Sequence, residues 1–255
     1  MTDLNYKKNK VIGFVLAYNA APFLEGLYKR IPKEEFDDII LVDDSSPDDT
    51  LKEAGRLGIN FFTHEHLGYG GNTKYALKKA MEMGAEFMVE IHGDGQYDPA
   101  VIPAALKKMR EGYGLILGSR FTDWRQPLRD RMPISKYLAN VGLSFIDRTI
   151  LGVPLTEFHT GFRVYSRRLL NEIDVTHTSD DFLFSFEVIV QARFCGLKIG
   201  EVPIRCDYAN EHSSISFKKS VLYAFQTLRV LFWYLLARLG FKHPLFLCSS
   251  AKKYS

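Results

Sequence analysis

Phe87-Met88-Val89-Glu90-Ile91-His92-Gly93-Asp94-Gly95-Gln96-Tyr97-Asp98-Pro99 is a short apolar run that stops abruptly at an imidazole, a carboxylate, an amide and two glycines. A run of this kind followed by glycine and proline predicts a buried strand entering a turn. In an open α/β sheet the carboxyl end of such a strand faces the crevice where ligands bind. Gly93 and Gly95 put no side chains beside Asp94, so a bulky ligand could approach the backbone, and His92, Asp94 and Gln96 share one face if the extension persists. Imidazole, carboxylate and amide oxygen together form a donor set for a divalent cation. The alternative is a glycine-rich turn with a solvated Asp94, and spacing alone leaves both open.

The chain has 255 residues, 46% hydrophobic and 25% charged, which suits one substantial core or one domain with an appendage. A net charge of +3 is too small to point to a nucleic-acid partner, and none is expected. The three cysteines, Cys195, Cys206 and Cys248, are odd in number and lack metal-site spacing, so a reducing compartment is the expectation. Asp3, Asn5, Lys7, Lys8 and Lys10 leave no apolar core for a signal peptide, so secretion is not expected.

Residues 11–17 read as a first strand, broken at Tyr18-Asn19-Ala20-Ala21-Pro22 before Phe23, Leu24, Leu27 and Ile31 at helical spacing. A second strand over residues 39–42 ends in Asp43-Asp44-Ser45-Ser46-Pro47, with Ser46 as N-cap and Pro47 opening a helix. Asp43 and Asp44 precede that cap, where carboxylates could accept hydrogen bonds from a nucleoside; turn chemistry is the other use for them. A third strand near residues 60–63 leads to Leu67-Gly68-Tyr69-Gly70-Gly71-Asn72-Thr73-Lys74, whose glycines suit phosphate at a helix start with Lys74 in its first turn. The alternation of strands and helices predicts a mostly parallel sheet with helices on both faces.

Beyond Pro99 a helix runs to Met109, and Leu115-Ile116-Leu117 forms a strand ending at Gly118-Ser119-Arg120. Arg125, Arg129, Arg131 and Lys136 make a basic loop that suits phosphate, or else a solvated charged loop. Residues 137–151 are helical, whereas residues 156–165 interleave polar and aromatic side chains without periodicity and read as a binding wall. Glu187, in a helix over residues 182–194, is a candidate base or the partner of Arg163 or Arg193. Pro203 puts the strand around residues 199–204 at a sheet edge. The longest uninterrupted apolar run within residues 221–241 is too short for a transmembrane span. That helix is either interfacial, with flanking lysines and arginines, or a core or homo-oligomer helix.

Together these pieces resemble the family 2 glycosyltransferases of GT-A fold, in the dolichol-phosphate mannose synthase-like branch. The resemblance covers residues 11–216 and rests on Ala17-Tyr18-Asn19, Val42-Asp43-Asp44-Ser45-Ser46-Pro47-Asp48-Asp49-Thr50, Gly93-Asp94-Gly95-Gln96, Gly118-Ser119-Arg120, His159-Thr160-Gly161-Phe162-Arg163 and Glu201-Val202-Pro203-Ile204. It implies an α/β, Rossmann-like catalytic domain over residues 1–216 and a C-terminal amphipathic helix and tail over residues 217–255. It further implies inverting transfer from a UDP- or GDP-sugar, assisted by Mg²⁺ or Mn²⁺.

Carried over by residue, Ala17, Tyr18, Asn19, Asp43 and Asp44 would bind the nucleoside, with Gly71, Lys74 and Gly93 near the diphosphate. Asp94 and Gln96 would hold the metal, and His92 replaces the first carboxylate of the usual Asp-x-Asp, which puts the choice of metal in question. Arg120, with Arg131, would neutralise the leaving group, and Arg163 would orient a polyprenyl phosphate, an acceptor that needs no general base. If the acceptor is instead a hydroxyl of a glycan, Asp180, Asp181 or Glu187 are candidate bases. The expected place is cytoplasmic, peripheral on the membrane face. A catalytically inactive nucleotide-sugar-binding protein is the alternative outside enzymes.

Overall fold

The computed structural model describes residues 9–208 and 217–249. Strands β1 (Val11–Ala17), β2 (Asp38–Asp43), β3 (Asn60–Thr63), β4 (Phe87–His92), β5 (Leu115–Ser119), β6 (Arg163–Ser166) and β7 (Ile199–Pro203) form one seven-stranded sheet in the order β3-β2-β1-β4-β6-β5-β7. Every residue of β1 is buried, as expected for a strand covered by helices on both faces. β1 pairs in parallel with β2 and β4, β2 with β3, and β5 with β7. β6 alone runs antiparallel, wedged between β4 and β5. Its four residues begin at Arg163, and so short a strand opening on a charge gives no apolar run to read, which is why the sequence suggests a binding wall there.

The helices are α1 (Ala21–Arg30), α2 (Thr50–Arg56), α3 (Gly68–Glu82), α4 (Ile102–Arg110), α5 (Gln126–Arg129), α6 (Ile134–Leu151), α7 (Arg167–Glu172), α8 (Leu183–Phe194) and α9 (Phe217–Arg238). On one face Phe14, Met88, Leu77, Phe184, Phe186, Val230 and Leu231 share a core with α3, α8 and α9. On the other, Val15, Ile91, Leu24, Leu27, Ile102 and Leu106 pack α1 and α4 against the sheet. Matched ends set the working edge: Leu16 pairs with His92, Ala17 with Asp43, and Asp43 with Thr63. The crevice therefore opens at the carboxyl ends of β1 to β4, where the connections leave β1 in opposite directions.

Three expectations need correction. Ser46 does not cap a helix: α2 begins at Thr50, and Ser46 Oγ is bound to Asp43 within the turn. Cys195 and Cys248 form a disulfide that ties the C-terminal segment to the end of α8, against the thiols expected of a reducing compartment; Cys206 is a buried free thiol. α9 is one continuous helix of 22 residues, long and apolar enough by length and composition to cross a membrane, because its charges interrupt the apolar sequence without interrupting the helix. Val230, Leu231, Tyr234 and Ala237 nevertheless bury one side of it in the main core. The boundary expected at residue 216 lies outside the described residues.

α6 and α9 pack on each other. Each leaves an apolar stripe uncovered: Ile134, Leu138, Val141 and Phe145 on α6, and Phe225, Leu228, Phe232 and Leu235 on α9. The three- and four-residue steps put each set on one side of its helix.

Candidate active site

At the end of β1 the chain turns through Tyr18, 53% exposed, and Asn19, whose φ of 54° is left-handed. Ser45, φ 61°, makes the matching turn after β2, and Asn19 N–H donates to Ser46 Oγ at 2.9 Å, so the two strained turns brace each other. Ala17 is buried and its carbonyl accepts from Asp44 N at 3.0 Å. Asp43 is buried and accepts from Ser46 N at 3.0 Å and from Thr63 Oγ1 at 3.5 Å. Asp44 is buried too, and accepts from the backbone N–H of Leu67 at 2.7 Å and of Gly68 at 3.0 Å, at the start of α3. Both acids thus perform turn and cap chemistry, leaving Tyr18 and Asn19 as the exposed part of this group.

His66 escapes a reading by motif. Its Nδ1 is 2.9 Å from Asp44 Oδ2, its ring centroid is 5.0 Å from that of Tyr18, and its side chain is 59% exposed. Nothing in its sequence neighbourhood announces this, since the partner Asp44 belongs to a different strand end.

The glycines of α3 do not wait for phosphate. Gly70 and Gly71 N–H both donate to Asp180 O, at 2.8 and 3.2 Å, and a Cβ on Gly70 would lie 2.5 Å from Ser179 O and 2.8 Å from Asp181 O. Gly71 is closed off by Leu67, and Lys74 Nζ is held by Asp180 Oδ1 at 2.6 Å and Thr178 O at 3.0 Å. This helix start therefore seats the loop before α8. Glu187 does not pair with Arg163 or Arg193; it accepts from Ser179 N at 2.6 Å in the same loop, and burial lifts its pKa above the usual carboxylate range. Asp181 accepts from its neighbour Phe182 N at 2.8 Å. Asp181 is exposed, whereas Glu187 is buried.

Gly93 behaves similarly. Its N–H donates to Leu16 O at 2.8 Å, and a Cβ there would lie 2.7 Å from that same oxygen, so the absent side chain admits β1 and not a ligand. Gly95 takes φ 67°, and its carbonyl accepts from Arg30 at 2.9 Å. Asp94 Oδ1 accepts from Gln96 N at 3.0 Å, which folds the loop into a tight turn. His92 leans inward: Nε2 lies 3.2 Å from Glu90 Oε1 and 3.0 Å from Gly161 O. Burial opposes its charge, yet Glu90 and Asp94 raise its pKa.

Among the described residues no group of three His, Cys, Asp or Glu side chains is gathered to hold a metal ion. The side chains at this turn with the chemistry of metal donors are His92, Asp94 and Gln96, and Asp94 Oδ1 already accepts from Gln96 N. One carboxylate, one amide and one imidazole fit a cation that takes its other ligands from a diphosphate, since such metals commonly reach a protein through one or two side chains plus substrate oxygens.

Arg120 and Arg163 are not where the sequence suggests. Arg120 is 6% exposed and saturated: Nε donates to Glu157 Oε1 at 2.8 Å, the backbone N–H to Oε2 at 2.7 Å, and NH1 to Tyr208 Oη at 2.7 Å. Arg163 is fully buried, facing Glu90 across the antiparallel register, and its guanidinium makes no hydrogen bond among the described residues. Neither reaches a surface ligand. The accessible cations lie instead around a cavity of about 340 Å³ lined by Arg30, Arg129, Arg131 and Arg205 with Gln96, Asp98, Asp130 and Asp207. Arg129 pairs with Asp123 at 3.2 Å and Arg205 with Asp130 at 2.6 Å. Arg131, at φ 67°, is exposed and makes no ion pair among the described residues. Gln96 joins this cleft directly to the Asp94 turn, and α6 starts three residues beyond Arg131.

The family model for glycosyl transferase family 2 matches residues 14–174. An uncharacterized protein of Methanocaldococcus jannaschii is 31% identical over 203 residues, 79% of this chain and 83% of its own length. The UDP-N-acetylglucosamine–dolichyl-phosphate N-acetylglucosaminyltransferase of Methanococcus voltae is 29% identical over 220 residues, 78% of this chain and 87% of its own. In fold, the chain is similar to glucosyl-3-phosphoglycerate synthase of Mycobacterium tuberculosis, crystallised with Mn²⁺, UDP and glucosyl-3-phosphoglycerate: the TM-score is 0.65 at 17% identity, covering 92% of this chain and 82% of the other. The match runs from within β1 past α7, through every strand end that builds the crevice, and on that ground the chain belongs to glycosyl transferase family 2, with a GT-A fold, in the dolichol-phosphate mannose synthase-like branch.

Proposed function

We infer that the enzyme moves a sugar, with inversion, from a UDP- or GDP-sugar to a polyprenyl phosphate, working as a peripheral protein on the cytoplasmic face of a membrane. One observation carries this reading: the arginine-lined cleft that Gln96 shares with the Asp94 turn includes Arg131, three residues before α6, whose Ile134, Leu138, Val141 and Phe145 are exposed. Cations at one end and an apolar track beyond match the phosphate and the tail of a lipid phosphate. The Methanococcus voltae relative, whose name gives dolichyl phosphate as acceptor, supports the same choice. In this reading residues 1–216 are the catalytic body, and residues 217–255 add the membrane-contacting helix.

Tyr18 and Asn19 face the nucleoside on turns that Ala17, Asp43 and Asp44 shape from beneath. The diphosphate lies over Asp94 and Gln96, where a bound divalent cation supplies charge neutralisation for the departing nucleoside diphosphate. Arg129, Arg131 and Arg205 hold the acceptor phosphate, whose oxygen is already anionic and needs no base. That oxygen forms the bond to the anomeric carbon as the bond to the β-phosphate oxygen breaks, the electron pair leaving with the nucleoside diphosphate.

The test is incubation of the purified protein with UDP- and GDP-sugars, Mn²⁺ or Mg²⁺ and a short polyprenyl phosphate, with mass spectrometry of the lipid. Wild type glycosylates the lipid, and Asp94→Ala lowers the rate at least 100-fold, the loss of about 3 kcal/mol of transition-state stabilisation. Nucleoside diphosphate released with the lipid unmodified favours a hydroxyl acceptor instead. Donor bound with no turnover under either metal favours a binding protein.

A further inference from the structure

α6 is packed the wrong way round for a helix on a globular surface. Its buried side chains are Ser144, Asp147 and Leu151, while Ile134 is 70% exposed, Leu138 63% and Phe145 65%. A helix that belongs permanently to its protein turns its apolar side to the core. Here the central contact is polar. Asp147 Oδ2 lies 2.9 Å from His159 Nε2, in a pair no more than 5% exposed, and Tyr223 Oη of α9 lies 3.1 Å from Nδ1 of the same ring.

That contact is incompletely satisfied. Asp147 Oδ2 and His159 Nε2 are close but lack the alignment of a hydrogen bond, and Ser144 Oγ, one turn earlier, is buried without a partner among the described residues. Burial lifts Asp147 above the usual carboxylate range although His159 draws it down. Taking both groups out of water is therefore only partly offset, and an apolar pair of similar size would hold the helix at least as firmly. If the helix swings out, water solvates them both.

Both ends of α6 suit a hinge. Arg131, three residues before it, is left-handed at φ 67° although it is not glycine, Pro133 follows, and Gly152, at φ 61°, closes the other end. A strained conformation such as that of Arg131 persists only while its surroundings impose it. Two further hydrogen bonds of α6, Tyr137 Oη to Trp124 O at 3.2 Å and Arg148 Nε to Leu155 O at 2.7 Å, reach only flanking chain that can travel with the helix. Arg131 also lines the cleft that Gln96 shares with the Asp94 turn, so a swing of α6 moves a wall of that cleft.

We propose that α6 is a hinged lid, latched shut by Asp147, His159 and Tyr223, whose release opens the arginine-lined cleft to the phosphate acceptor. The inference rests on the acceptor reading above and adds the step that controls entry. Neither Asp147 nor His159 lines the cleft, so both are positioning residues that act through α6.

Hydrogen exchange read by mass spectrometry tests the latch without any substrate. In wild type the amides of α6 exchange about 100-fold faster than those of α8, whose side chains are buried almost throughout, and His159→Gln speeds α6 about 10-fold further while leaving α8 unchanged. The double variant Asp147→Val with His159→Leu replaces the latch by an apolar pair. Its melting temperature is at or above that of wild type, exchange of α6 slows about 10-fold, and kcat/KM for a short polyprenyl phosphate falls about 10-fold while UDP and GDP affinity is unchanged. If that variant does not fold, His159→Gln carries the test through the exchange of α6. Wild-type α6 amides as slow as those of α8, exchange that His159→Gln leaves unchanged, or a stable double variant with wild-type kcat/KM overturns the proposal. Wild type that glycosylates no lipid overturns the acceptor reading, and the exchange rates then decide the latch by themselves.

Discussion

Two arginines that look catalytic by motif, Arg120 and Arg163, are inside the protein, each opposite an acid from a distant strand or loop. The sequence displays the cations but not their partners: Glu157 lies 37 residues from Arg120, and Glu90 meets Arg163 only through the antiparallel register of β6. Position after a strand is enough to place Asp94, Gln96, Tyr18 and Asn19 at strand ends, because a strand end is a local feature. It could not tell a ligand contact from a cap, as Asp43 and Asp44 illustrate: both are where the motif says, yet Asp43 accepts from Ser46 in its own turn and from Thr63, and Asp44 from the backbone of Leu67 and Gly68 at the start of α3. The Arg120–Glu157 pair carries a clear expectation. Glu157→Ala leaves a buried guanidinium and a buried backbone N–H without their acceptor, which costs about 3–5 kcal/mol. The midpoint of urea unfolding measures it. A loss below about 1 kcal/mol would mean that water reaches Arg120 and that it is more available to ligands than its burial indicates.

At the level of elements, the short apolar runs of β1, β2, β4 and β5 are legible because helices cover both faces and no alternation is needed. The helices with clear spacing, α1, α3, α4, α6 and α8, are legible too. The start of α3 is where local chemistry misleads. Its glycines resemble a phosphate cradle, but the group cradled is the protein's own carbonyl, Asp180 O. Gly70→Ala forces a methyl group against Ser179 O and Asp181 O, both backbone atoms that cannot swing aside. The expected loss is about 1–3 kcal/mol by thermal unfolding. If the glycines served only phosphate, the variant would keep its stability and lose nucleotide affinity alone. The disulfide between Cys195 and Cys248 was invisible for a related reason: the cysteines are 53 residues apart, and only the fold of α9 back along α8 brings them together.

For the whole molecule, α6 and α9 present two neighbouring apolar stripes on a protein of modest net charge. Exposed apolar surface of this extent marks a partner, and under the lipid-acceptor proposal that partner is a lipid surface. Phe225→Ser combined with Phe232→Ser removes two large side chains from the α9 stripe without touching the buried face. Co-sedimentation with vesicles containing anionic lipid should fall at least 10-fold, while turnover of a short, water-soluble polyprenyl phosphate stays within about 2-fold of wild type. If vesicle binding is unchanged and the wild-type protein sediments as a dimer that the double variant dissociates, the stripes bind a second copy of the chain.

The antiparallel β6 lies between β4 and β5 although it follows both in sequence. During synthesis, a nascent chain that has emerged only as far as α6 can assemble β3, β2, β1 and β4, but β5 has no strand to pair with, and β4 shows a bare edge. That edge stays open until Arg163–Ser166 leaves the ribosome and slides in antiparallel, after which β7 completes the sheet beside β5. Interrupted translation products ending between β5 and β6 therefore carry an unpaired, apolar strand on an otherwise ordered half-sheet, the form of this protein most exposed to aggregation and most in need of a chaperone.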